Sequence, residues 1–121
     1  MIDRFPVSTR VTRDYTAHYP DPLSGKAGDM LTHGRRDEEW PGWMWCKAAN
    51  GKEGWVPEAW LDLQRERAVL LRDYNARELS VQAGELVWLL AEEAGWFWAR
   101  AEGGEEGWLP GDCLEILAAN G

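Results

Sequence analysis

With 121 residues, 45% of them hydrophobic, and a net charge of −8, the chain is long enough for one ordinary domain or two very small ones. No apolar run approaches the roughly 18–20 residues of a membrane span, and "MIDRFPVSTR" lacks the apolar core of a secretory signal, so a cytoplasmic location is expected. The aromatic residues, nine of them Trp, stand among acids that phosphate would repel, which disfavours nucleic acid and favours a neutral or basic peptide. Two cysteines, Cys46 and Cys113, cannot build a disulfide framework and read as free thiols.

In chain order, the arm "RDYTA" (13–17) enters a loop, "TAHYPDP" (16–22), and then "LSGKAGD" (23–29). An acidic loop, "GRRDEEWPG" (34–42), precedes the strand "GWMWCK" (42–47). "AANGKEG" (48–54) is an Asn-Gly hairpin turn, and "GKEGWVPEAWL" (51–61) closes the series. After "QRER" (64–67) the same order returns as "RDYNA" (72–76), "LSVQAGE" (79–85), "GWFWAR" (95–100) and "GEEGWLPGDCL" (104–114). The second copy is three residues shorter at each of two loops, which marks a tandem duplication. Alternation sets Val87 and Leu89 on one face against Leu86 and Trp88 on the other, and Phe97 and Ala99 against Trp96 and Trp98. Short alternating segments bounded by Gly, Pro, Asn and Asp predict an all-β fold of two small bent barrels, a form that hides sheet edges. The expected domains are 7–63 and 68–117, joined by the linker 64–67, whose four residues span at most about 14 Å and so hold the barrels close together.

These motifs, in this order, resemble the Src homology 3 (SH3) domain. "VTRDY" and "LLRDY" fill its first slot, "ELSVQAGE" its next two, "GWMW" and "GWFW" its Trp strand, and "GWVPEAWL" and "GWLPGDCL" its closing arm. The resemblance covers nearly the whole chain. It implies a non-enzymatic protein-interaction module that binds proline-rich, left-handed extended peptides on an aromatic surface. A polyproline II segment is already extended, so ordering it costs little.

Carried over residue by residue, the resemblance places the first groove at Tyr15, Trp43, Pro57 and Trp60, with Asp21, Asp37, Glu38 and Glu39 facing a basic ligand residue. Arg13 stands where the family has its first groove Tyr, and Gly25 where it has an apolar core residue. In the second repeat the counterparts are Tyr74, Trp96 and Pro110, a weaker groove. Arg72 and Cys113 replace rings there, and the first loop is only "NARE" (75–78). The first repeat is therefore expected to bind a proline-containing, basic peptide, and the second to be mainly structural. Trp88 and Trp98 are expected in inter-domain packing. The alternative is an architectural or self-associating protein with no peptide ligand. No metal site is expected, because His18 and His33 lack partners at ligand spacing, and no catalytic constellation or cofactor is expected either.

Overall fold

The computed structural model describes residues 5–115. All its regular structure is β, apart from two single 3₁₀ turns, Glu58–Trp60 and Gly111–Cys113. The strands are β1 (Val7–Arg10), β2 (Ser24–Gly25), β3 (Met30–Arg36), β4 (Trp43–Lys47), β5 (Glu53–Pro57), β6 (Leu61–Gln64), β7 (Arg67–Leu70), β8 (Tyr74–Asn75), β9 (Leu86–Glu93), β10 (Trp96–Ala101) and β11 (Glu106–Pro110). The all-β reading and its two SH3-like bodies stand. The upper bound of the second expected domain, residue 117, lies outside the described residues.

The chain forms two compact units, and they cut across the repeats. One is contiguous, Tyr19–Arg77. The other is split: described residues up to His18 join those from Glu78 onward. The contiguous unit holds a sheet in the order β5-β4-β3-β7-β6 and a short pair, β2-β8. The split unit holds a sheet in the order β1-β9-β10-β11. Each repeat thus donates its first arm to the body of the other. β1, from the first repeat, pairs antiparallel with β9 from the second, Val7 opposite Leu89 through Arg10 opposite Leu86. β7, from the second, pairs with β3 and β6 of the first.

The segment 64–67 is correspondingly not a linker between bodies. Gln64 faces Arg67 as the last pair of the β6–β7 ladder. Arg65 and Glu66 alone make the turn, with Arg65 in the left-handed region at φ 37°. A two-residue turn leaves β7 nowhere to lie except antiparallel beside β6, in the body of the first repeat. The second repeat's own body must then take its first strand from elsewhere, and β1 supplies it.

Core volumes agree with the exchange. In the split unit Val11 packs with Leu79, Val81, Val87, Leu89, Phe97, Ala99, Leu109, Cys113 and Leu114. In the contiguous unit the fully buried side chains include Leu23, Leu70, Met44, Cys46 and Val56. Leu70 corresponds to Val11 in the repeat, and Gly25 to Val81. A Cβ on Gly25 would stand 2.8 Å from Cδ1 of Leu70, so the larger residue of the first pair meets the smaller of the second. The smaller, Val11, shares its cluster with the larger, Val81. Unexchanged arms would set Leu70 against Val81 and Val11 against Gly25, one crowded and one underfilled, and both faults destabilise a core.

Candidate peptide-binding site

The exchanged arms carry the Arg-Asp-Tyr motif, and the two copies are seated alike. Asp14 Oδ1 accepts the Ala83 amide at 2.8 Å, and Asp73 Oδ1 accepts the equivalent Ala27 amide at 2.9 Å. In the split unit Tyr15 and Val81 exchange two backbone hydrogen bonds, of 2.9 and 2.8 Å. In the contiguous unit Tyr74 lies opposite Gly25, and the Ala76 amide donates to the Leu23 carbonyl at 2.9 Å. The motif's Asp therefore secures the turn after β2 or its counterpart, and its Tyr is fixed by strand pairing.

In the split unit the Tyr15 hydroxyl donates to Glu78 Oε1 at 2.9 Å, and the same oxygen accepts the His18 amide at 3.1 Å. The Tyr15 ring stands edge-on to Trp96 at 5.9 Å and to His18 at 5.5 Å. Trp96 opens β10, opposite Pro110 on β11 and Glu93 on β9. Tyr15 and Trp96 are half-buried, Pro110 is buried and Glu92 is exposed. Arg13 pairs with Asp112 at 2.6 Å across a solvated surface. Cys113 does not line this surface. It is a core residue whose thiol reaches the Pro110 carbonyl at 3.2 Å, and burial pushes its pKa up to about 11. Burial likewise pushes Cys46 up to about 12.

In the contiguous unit the corresponding face is closed. Trp43 is 3% exposed and Tyr74 5%, and Pro57 is fully buried. The Tyr74 hydroxyl donates to the Trp55 carbonyl at 2.6 Å, and its ring stands edge-on to half-buried Trp60 at 5.3 Å. The Arg72 guanidinium lies 3.8 Å above the Trp60 ring. Strand alternation does put Trp43 on the side away from Met44 and Cys46, but Trp43 itself is covered there.

The expected first groove is thus divided. Trp43, Pro57 and Trp60 come together, but with Tyr74, while Tyr15 joins Trp96 and Pro110 in the split unit. The exchange of arms is the cause. Of the four acids, Asp21 is placed apart from the other three. Asp21 pairs with Lys52 at 3.0 Å. Asp37 accepts the amides of Glu39 and Trp40 at 2.9 and 3.2 Å, so it holds its own loop. Glu38 and Glu39 line an open depression with Arg35, Arg36, Asp37 and Trp55. Trp88 is half-buried, with Ser8 and Arg100 opposite it on the neighbouring strands. Trp98 stands edge-on to Trp108 at 5.5 Å and donates its indole N–H to Glu106 at 2.9 Å. That indole, with Arg100, holds the Glu106 carboxyl below the usual range. Glu78 and His18 escaped sequence reasoning because Glu78 meets Tyr15 from 63 residues away.

Small antiparallel sheets, an Asp-Tyr arm seated beside a Trp strand, and a Pro opposite that Trp define the class of compact β interaction domains. The variant SH3 domain family model matches the chain twice, over residues 9–64 and 67–117, and the chain belongs to that family. No curated protein and no solved structure matches it. Among the described residues, no helix is long and apolar enough to cross a membrane.

Proposed function

We propose that the chain is a non-enzymatic interaction protein that binds an extended, proline-containing peptide bearing a basic residue, and that the split unit does the binding. Tyr15 and Trp96 form the aromatic floor, and Glu93, opposite Trp96 on β9, attracts the ligand's cation. The observation that carries this assignment is the contrast between the two faces. Tyr15 and Trp96 are half-buried, whereas their counterparts Tyr74 and Trp43 are buried; Pro57 and Pro110 are buried alike. A proline ring needs an open aromatic face to stack on, and a preformed extended ligand loses little entropy in doing so. The binder and the scaffold are therefore exchanged relative to the order expected from the repeats. Two free buried thiols fit a reducing, cytoplasmic setting.

Titrating a proline-rich basic peptide into the labelled chain tests this by NMR. Trp96→Ala should cost at least about 2 kcal/mol of binding. Trp43→Ala should instead lower stability by about 3–5 kcal/mol while the remaining folded protein still binds. Unchanged affinity in Trp96→Ala would refute the assignment. In a second reading the aromatic faces serve assembly alone, with no peptide ligand. Under it no peptide shifts any resonance, and sedimentation shows concentration-dependent self-association.

A further inference from the structure

The two exchanged arms are not tethered alike. β7 is tied to β6 by a turn of two residues, Arg65 and Glu66, so it has no body to complete but the one beside it. The first arm, residues 7–18, is joined along the chain to its seat only by way of the whole contiguous unit, Tyr19–Arg77. The link that enters that unit is short. His18 ends the arm, its amide donating to Glu78 Oε1 at 3.1 Å, and Leu23 begins the next body, its amide donating to the Glu53 carbonyl at 3.0 Å. Between them stand Tyr19, Pro20, Asp21 and Pro22, with Pro20 and Asp21 exposed. Two prolines in so short a link fix φ twice and keep it extended and stiff.

The seat holds the arm along its length. Beyond the β1–β9 ladder, the Val11 amide donates to the Glu85 carbonyl and the Gly84 amide to the Val11 carbonyl, each at 2.8 Å. The Thr12 amide donates to the Cys113 carbonyl at 2.8 Å, and the Ala17 amide to Ser80 Oγ at 3.0 Å. The Val11 side chain, 1% exposed, fills the core there. None of these contacts depends on which copy of the chain supplies the arm, because a second copy brings the same Val11, Asp14 and Tyr15. Trading an identical element is a low-cost route to a dimer, and short hinge segments invite it. The balance is set by the link: a tethered arm acts at an effective concentration of about millimolar when the tether is short and flexible, and at less when the tether reaches poorly.

We propose that the chain has a second copy of itself as a partner: two molecules trade residues 7–18, and the partner's β1 completes each split unit. β7, held in its hairpin, stays at home. Each groove then combines its own Trp96 with the partner's Tyr15, whose hydroxyl meets Glu78 as it does within one chain. This shared groove rests on the peptide-binding reading above, whereas the exchange between copies does not. It also needs no aromatic face as an interface.

The test mixes isotope-labelled and unlabelled full chain in denaturant and refolds them together at about 1 mM, near the effective concentration of such a tether. Sedimentation should show a dimer. Isotope-filtered NOEs should join Val7–Arg10 of one copy to their ladder partners Leu86–Leu89 of the other. A flexible Gly-Ser hexapeptide inserted between Pro20 and Asp21 should lower the association constant about tenfold, because a longer hinge lets each arm reach its own seat. A chain that stays monomeric at that concentration would overturn the proposal. So would a dimer without NOEs between copies in the β1–β9 ladder, or one whose association constant ignores the insertion. Tyr15→Ala and Trp96→Ala chains refolded together should regain peptide binding at one groove per dimer, the one that keeps both rings. NOEs between copies without that recovery would uphold the exchange and refute the shared groove.

Discussion

Replacing Gly25 by Ala probes the exchange of arms through its packing. The added Cβ would lie 2.8 Å from Leu70 Cδ1 and 3.1 Å from Asp29 Oδ2. Leu70 is 1% exposed, so its methyl has little room to retreat, and overpacking of this kind costs about 1–3 kcal/mol. Part of that cost is offset by about 0.4–1 kcal/mol from the lower entropy of the unfolded chain. Leu70→Ala alone opens a cavity and costs about 2–5 kcal/mol. The new Cβ in the double variant fills part of that space, so the cycle should show a favourable coupling of about 0.5–3 kcal/mol. Val11 belongs to the other core, so Gly25→Ala with Val11→Ala should add to within about 0.5 kcal/mol. Urea unfolding followed by tryptophan fluorescence gives all the terms. A coupling to Val11 with none to Leu70 would mean that each arm completes its own repeat, and the exchange would be refuted.

Two further outcomes concern titrating groups. Burial holds the Cys46 and Cys113 thiols at about 12 and 11, so a thiol reagent at pH 8 should label neither in the native chain and both in denaturant, as mass spectrometry would show. Labelling of either before unfolding would contradict the burial. The Glu106 carboxyl, held low by the Trp98 indole and by Arg100, stabilises the fold fully above its unfolded value of about 4.3. That contribution is lost as pH falls through the lower folded value, so Glu106→Gln should flatten the acid side of the thermal-midpoint profile. An unchanged profile would show that the carboxylate contributes nothing there.

The two SH3-like bodies are legible because Gly, Trp and Pro recur in one order, and the phase of Trp96 and Trp98 against Phe97 and Ala99 follows from alternation. The pairing of arms with bodies is not. "RDYTA" and "RDYNA" differ at one position, so nothing in either arm names the body it completes. Two signals bear on the exchange. "QRER" has the length of a linker and equally that of a hairpin turn. Gly25, at a position apolar in the other repeat, makes room for Leu70. The division of the groove followed, because the residues assigned to it lie on both sides of the exchange. Trp43 shows a further limit: strand phase says which way a side chain points and says nothing of what covers it.

Scalar couplings across backbone hydrogen bonds test the exchange itself. In the labelled full chain, the Tyr15 amide should couple to the Val81 carbonyl, the Val81 amide to the Tyr15 carbonyl and the Ala76 amide to the Leu23 carbonyl, as their separations of 2.9, 2.8 and 2.9 Å require. Couplings from Tyr15 to Gly25 and from Ala76 to Leu79 would instead place each arm in its own repeat and contradict the account.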